Sequence, residues 1–84
     1  MEKSENAKQH SDAETLSDCV GKRIKTVRLE GGLSQAQLGE KLSVSQDTVS
    51  LWETGKSIPT AEYIVAVCRL FSVSSDYLLG LSEY

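Results

Sequence analysis

Apolar residues recur at helical spacing through most of this 84-residue chain. Near its start they stand at i, i+4, i+8 and i+11, which would place them in one stripe along a first helix. They are Leu16, Val20, Ile24 and Val27. This helix is expected to begin between residues 16 and 18 and to end near Glu30. Gly31 and Gly32 follow, and one of them can adopt a left-handed cap.

A second helix is predicted to begin at Ser34. Ser34 and Gln37 have the spacing of a capping box, in which each side chain bonds the backbone of the other residue. Leu33 and Leu38 flank this start as a hydrophobic staple, and Leu38 and Leu42 repeat at i and i+4. These signals predict a short amphipathic helix.

The same start signal recurs at Ser45, where Val44 and Val49 can form the staple. A third helix therefore follows the second after about three residues, which is the helix-turn-helix arrangement. Gly39, within the second helix, costs about 1 kcal/mol relative to alanine. We expect it to allow close approach of the third helix, and the alternative is a tolerated glycine without a packing role. Gly55 should end the third helix with a positive φ.

Helical geometry divides the third helix into two faces. Val49 and Trp52 lie within about 60° of each other and should point into the core. The opposite side carries polar residues and one leucine, namely Asp47, Ser50, Leu51 and Thr54, with Gln46 at its edge. In the major groove of DNA, glutamine pairs with adenine, aspartate accepts from cytosine N4 and apolar groups contact the thymine methyl. This face suits the reading of base edges, and the alternative is an ordinary solvated helix face.

Two further helices are predicted towards the end of the chain. Pro59 and Thr60 should open the fourth, with Thr60 as its N-cap. Its inner face would be formed by Ala61, Ile64, Val65, Cys68 and Phe71. Ser74 should cap a short fifth helix, with Val73 and Leu78 as its staple. The expected architecture is all-α with five helices.

The composition fits one small domain behind a polar segment. Residues 1–15 are almost wholly polar and are expected to be disordered, which leaves residues 16–84 as the folded domain. The net charge of −3 comes entirely from residues 1–18, and the rest has seven basic and seven acidic residues. A neutral domain is a mild argument against nucleic acid, because phosphate neutralisation supplies most non-specific affinity. The first helix nevertheless concentrates basic side chains, namely Lys22, Arg23, Lys25 and Arg28.

The sequence offers no arrangement typical of a catalytic or metal site. His10, the only histidine, lies in the polar segment without positioned neighbours, and there is no glycine-rich phosphate loop. We therefore expect no enzyme activity, no metal and no cofactor. Cys19 and Cys68, without a signal peptide, indicate reduced thiols in a cytoplasmic protein, with Cys68 in the core. No apolar run is long enough to span a bilayer, so we expect no membrane partner.

Four segments resemble the lambdoid phage repressor and Cro family, also called the xenobiotic-response-element type. In order they are VGKRIKTVR, LSQAQLGEKL, VSLWETGKSIP and FSVSSDYLLG, between about residues 20 and 80. The resemblance implies a compact five-helix lambda-repressor-like domain with its helix-turn-helix at the second and third helices. It also implies sequence-specific binding of double-stranded DNA by the third helix.

The resemblance assigns roles to individual side chains. Base edges would be contacted by Gln46, Asp47, Ser50 and Leu51. Gln35 matches a glutamine that holds the DNA backbone in the family. The backbone N–H groups of Ser34, Gln35 and Ala36, with the helix dipole, favour a phosphate at the same place. Thr54 and Lys56 would contact a second phosphate.

Two structural features also follow from the resemblance. Arg28 would form a partly buried ion pair with Glu53, and the alternative is two solvated charges of little consequence. The family usually has glycine where Ser43 and Ser72 end the second and fourth helices. These turns must either avoid the left-handed conformation or carry its cost of about 1–2 kcal/mol for each residue.

The family reads palindromic operators as two-fold dimers, with half-sites about 34 Å apart. Leu79, Leu81 and Tyr84 are the candidate dimer surface, since apolar groups outside a small core mark association sites. Equally, they could fold back onto the first or fifth helix. The expected function is a transcriptional repressor that binds DNA as a homodimer. The alternative is a protein-binding module on the same fold, an antitoxin or anti-repressor, which the acidic balance keeps open.

Overall fold

A computed structural model describes residues 14–84, and within that range the chain forms five α-helices and no β-strand. They are α1 Leu16–Glu30, α2 Gln35–Leu42, α3 Gln46–Glu53, α4 Ala61–Phe71 and α5 Ser75–Leu78. The all-α fold with five helices predicted from the sequence is confirmed. The disorder was predicted for residues 1–15. Residues 1–13, with His10, lie outside the described residues, whereas Thr15 is the N-cap of α1.

Hydroxyl side chains set where the helices begin. The side chains of Thr15, Ser34, Ser45 and Ser74 each accept a hydrogen bond from the backbone N–H three residues later, at 3.0 Å. Each bond satisfies one of the N–H groups that a helix start leaves without a partner. Thr60 occupies the N-cap position of α4 as predicted, but its side chain makes no cap hydrogen bond. The predicted helix starts are otherwise confirmed.

The core takes apolar side chains from every helix. Its buried members are Val20, Ile24, Val27, Leu38, Val49, Trp52, Ile64, Val67 and Leu78. Three predicted core positions are wrong: Leu16 is 52% exposed, Val65 is 45% exposed, and Ala61 is exposed as well. Leu16 is the first residue of α1, at the edge of the packed region. Val65 is rotated about 100° from Ile64, so that the buried stripe of α4 runs through Ile64 and Val67 instead.

Two glycines let α3 pack closely against its neighbours. A Cβ on Gly39 would lie 2.6 Å from the carbonyl oxygen of Val44, in the turn before α3. The close approach predicted at Gly39 is therefore confirmed. Gly21, which the sequence did not single out, does the same for α1, since a Cβ there would collide with the carbonyl oxygen of Trp52.

The turns after α2 and α4 place serine in the left-handed region. Ser43 has φ 60° and ψ 40°, and Ser72 has φ 57° and ψ 42°. Both turns still close by hydrogen bonds from the next residue, Val44 N to Gly39 O and Val73 N to Cys68 O. The sequence left open whether these turns avoid the left-handed conformation. In the structure both serines adopt it, with the conformational cost that it brings to a residue other than glycine. No helix within residues 14–84 has the length and apolar character needed to cross a bilayer.

Candidate nucleic-acid interface

The rear face of α3 is fixed in the core. Val49 and Trp52 are buried, as helical spacing predicted. The Trp52 ring packs against Tyr63 of α4 with ring centroids 5.4 Å apart and planes inclined by 46°. With Gly21 and Gly39 allowing close contact on either side, α3 has little freedom to shift.

The opposite face of α3 lies at the surface. Gln46, Asp47, Leu51 and Thr54 are exposed, and Ser50 is half-buried. The structure therefore brings the predicted base-contacting side chains together on one side of one helix. Their contact with bases stays a prediction. The Thr54 hydroxyl donates to the carbonyl oxygens of Ser50, at 2.9 Å, and of Leu51, at 3.3 Å, so it would have to leave them to donate to a phosphate.

The start of α2 offers fewer free donors than the sequence suggested. The backbone N–H of Ser34 donates to Gln37 Oε1 at 2.8 Å, which completes the capping box. This N–H is therefore taken, and a phosphate contact through it requires that the box open. Among residues 14–84, no acceptor engages the backbone N–H groups of Gln35 and Ala36. These two groups form the positive end of the α2 dipole.

Beside this helix start lies the predicted ion pair, which is confirmed. Arg28 Nε donates to Glu53 Oε2 at 2.6 Å and a terminal nitrogen of Arg28 to Glu53 Oε1 at 2.9 Å. The Arg28 side chain is 8% exposed and that of Glu53 is 2% exposed. The other terminal nitrogen of Arg28 donates to the carbonyl oxygen of Leu33 at 2.8 Å. Hydrogen bonding to Glu53 raises the pKa of the Arg28 guanidinium, against the opposing effect of burial.

Glu53 has a further partner that the sequence did not reveal. Gln35 Nε2 donates to Glu53 Oε1 at 3.1 Å. Nothing in the spacing of these residues indicates this bond, because it depends on how the start of α2 meets the end of α3.

The end of the described chain is fastened to α1 by Arg23. One terminal nitrogen of Arg23 donates to the carbonyl oxygens of Tyr77, at 2.9 Å, and Ser82, at 2.7 Å, and its guanidinium lies 4.4 Å from the centre of the Tyr77 ring. Arg23 and Arg28, counted as basic groups for DNA in the sequence, are thus held by internal contacts.

The three candidate dimer residues were expected either to form an exposed dimer surface or to fold back onto the domain, and the structure shows some of each. Leu79 packs against the core, whereas Leu81 is 75% exposed and Tyr84 is 90% exposed. The backbone of this segment folds back, because Ser74 Oγ donates to the carbonyl oxygen of Tyr84 at 2.7 Å. Association through Leu81 and Tyr84 stays a prediction.

Two capped helices joined by a tight turn, the second anchored by Val49 and Trp52 and polar outside, define a helix-turn-helix protein. The chain belongs to the helix-turn-helix family HTH_3, whose model matches residues 24–78. The family resemblance predicted from the sequence is confirmed.

Named relatives support this assignment. The chain is 34% identical over 64 residues to the HTH-type transcriptional regulator ImmR of Bacillus subtilis, which covers 76% of this chain and 50% of that protein. It is 35% identical over 60 residues to repressor protein C2 of Salmonella phage P22, covering 71% of this chain and 28% of that protein. The chain therefore spans half or less of the length of these relatives.

A solved structure extends the likeness to three dimensions. The crystal structure of the P22 c2 repressor in complex with synthetic operator 9T matches with a TM-score of 0.67 and 35% identity. The match covers 71% of this chain and 91% of that chain.

Proposed function

We propose that this chain is a transcriptional regulator that binds double-stranded DNA in a sequence-specific manner and acts as a repressor by covering a promoter. The observation that carries the proposal is the rigid placement of α3, buried along Val49 and Trp52 and polar along its outer face. The similarity to a repressor solved on its operator supports the same reading.

The outer face of α3 would enter the major groove and read bases. The Gln46 amide can donate and accept together, as adenine N6 and N7 require, and the exposed Leu51 side chain can contact a thymine methyl. Asp47 can accept from a cytosine amino group. Its carboxylate is otherwise repelled by phosphates, so it can also act by disfavouring bases that present acceptors.

Contacts to the DNA backbone would fix how deeply α3 enters the groove. The free N–H groups of Gln35 and Ala36, the Gln35 amide and the dipole of α2 suit one phosphate. The exposed Lys56 suits a second, with Thr54 beside it if its hydroxyl turns away from its own helix. Such contacts set the register of the protein on the duplex, whereas base contacts set the sequence.

A single recognition helix spans few base pairs, so we propose that two copies bind a palindrome with half-sites about 34 Å apart. Leu81 and Tyr84, which are exposed in the segment after α5, are the surface proposed for association. Leu79, in the same segment, packs against the core. We place the protein in the cytoplasm, with DNA as its partner and no catalytic activity.

Selection of bound duplexes from a random pool tests this proposal. We expect enrichment of a two-fold symmetric site, which would report sequence, symmetry and spacing together. If no sequence is enriched and the protein instead forms a stoichiometric complex with another protein, the proposal is wrong and the antitoxin or anti-repressor alternative is favoured.

A further inference from the structure

Glu53 contacts both Arg28, its partner in the buried ion pair, and Gln35, the side chain that faces a phosphate in the proposed complex. Its carboxylate accepts three hydrogen bonds, two from Arg28 and one from Gln35 Nε2 at 3.1 Å. Arg28 in turn donates to the carbonyl oxygen of Leu33 in the turn before α2. One connected network therefore links α1, the start of α2 and the end of α3.

The chemistry of this contact fixes the orientation of the Gln35 amide. A carboxylate only accepts, so the amide must turn its nitrogen, not its oxygen, towards Glu53. Because Gln35 Nε2 carries two protons, one remains after the bond to Glu53, and within residues 14–84 that bond is the one interaction of this nitrogen. The amide is thus held with a donor to offer a phosphate oxygen.

Charge balance makes the arrangement compatible with a phosphate. An uncompensated carboxylate next to the start of α2 would repel the DNA backbone. Arg28 removes this penalty, since its guanidinium grips both oxygens of Glu53 in the paired geometry that gives the strongest such contacts.

We propose that Glu53, held by Arg28, is a positioning residue that orients the Gln35 amide for a DNA phosphate. This inference rests on the proposed function and adds a role to a pair that otherwise serves only the fold. Because the network also ends at the last residue of α3, it sets the phosphate contact in register with the base-reading face. A side chain that is already fixed before DNA binds loses less conformational entropy, which increases affinity about two- to tenfold.

The test needs variants that remove the pair without unfolding the domain. Loss of one partner would leave a buried charge unpaired, whereas replacement of both by apolar groups of similar volume is often neutral for stability. The double variant Arg28→Met with Glu53→Leu meets this requirement. Gln35→Ala is then made in the parent and in the double variant, and thermal melting confirms that all four proteins are folded.

Affinity for a fluorescein-labelled random-sequence duplex is measured by anisotropy at low salt, because phosphate contacts need no particular sequence. We expect Gln35→Ala to weaken binding about ten- to hundredfold in the parent, the range for a hydrogen bond to a charged group. In the double variant, the loss of affinity caused by Gln35→Ala should be about two- to tenfold smaller than in the parent. Equal losses in both backgrounds overturn the inference.

The parent protein supplies a second readout that does not depend on the double variant. The two side-chain amide protons of Gln35, assigned by their loss in Gln35→Ala, should give distinct NMR signals, and the one not bonded to Glu53 should shift when duplex is added. If neither proton shifts although the parent binds duplex, the inference fails and the proposed function stands. If the parent binds no duplex at all, the proposed function fails and the inference with it.

Discussion

Within residues 14–84, Ser43 and Ser72 are the two residues other than glycine that adopt a positive φ. Their φ angles are 60° and 57°. A side chain in this region costs about 1–2 kcal/mol, while glycine there costs about 0.5–1 kcal/mol of additional unfolded-state entropy. The first figure is the larger, so glycine is the better residue at both turns.

Ser43→Gly and Ser72→Gly should each therefore stabilise the protein, by about 0.5–1 kcal/mol after the entropy of glycine is subtracted. For a domain of this size the melting temperature should rise by a few degrees, since about 1 kcal/mol corresponds to about 4–8 °C. Thermal unfolding followed by circular dichroism measures the change.

Ser75→Gly is the matched control for these two substitutions. Ser75 is exposed and helical, in the first turn of α5, so glycine brings its entropy cost there without relieving any strain. Its melting temperature should fall. Melting temperatures of the Ser43 and Ser72 variants at or below that of the parent would show that these turns carry no strain.

Among the elements, the helix starts were the easiest part to predict. Ser34 and Ser45 each combine a capping hydroxyl with flanking apolar residues, and this local chemistry specifies where the chain enters a helix. The buried side of α3 was also predictable, because Val49 and Trp52 are related by helical geometry alone.

Contacts between elements could not be predicted in the same way. The bond from Gln35 to Glu53 and the contact of Gly21 with Trp52 depend on the distance and rotation of two packed helices. The spacing of apolar residues within one helix indicates neither the distance nor the rotation between two helices. Arg23 shows the same limit, since its partners Tyr77 and Ser82 lie more than fifty residues away along the chain.

Gly21→Ala tests whether α1 holds α3 by close backbone contact. The added methyl meets the carbonyl oxygen of Trp52, which cannot move without α3. Overpacking of this kind costs about 1–3 kcal/mol, so the melting temperature should fall, and DNA affinity should fall with it as α3 is displaced. Thr26→Ala puts the same side chain on the exposed face of α1 and should leave both quantities nearly unchanged. Equal effects of the two substitutions would show that close contact at Gly21 does not hold α3 in place.

For the molecule as a whole, the balance of charge limits how DNA is held. Residues 19–84 contain seven basic and seven acidic side chains. Arg23 and Arg28 are engaged internally, and Lys22 pairs with Glu14. Few cations are left for phosphates, so in the proposed complex much of the contact would come from neutral donors such as the backbone N–H groups of Gln35 and Ala36.

Binding should consequently weaken only gradually with salt. With about two or three phosphates neutralised per protomer, log K should fall with log[salt] at a slope of about −2 to −3 per protomer. Anisotropy titrations at several sodium chloride concentrations give this slope. Lys56→Gln should make the slope shallower, while removal of another exposed cation by Arg69→Gln, on α4, should change it little. A slope several times steeper would mean that phosphate contacts dominate and that the assignment of neutral donors is wrong.

The central claim is that the outer face of α3 reads bases while the start of α2 holds the backbone. It is tested most directly by titrating the parent, Gln46→Ala and Gln35→Ala against the selected duplex and a scrambled one. Gln46→Ala should lose about 1–3 kcal/mol of preference for the selected duplex, whereas Gln35→Ala should weaken both duplexes alike. Full preference retained by Gln46→Ala would contradict the claim.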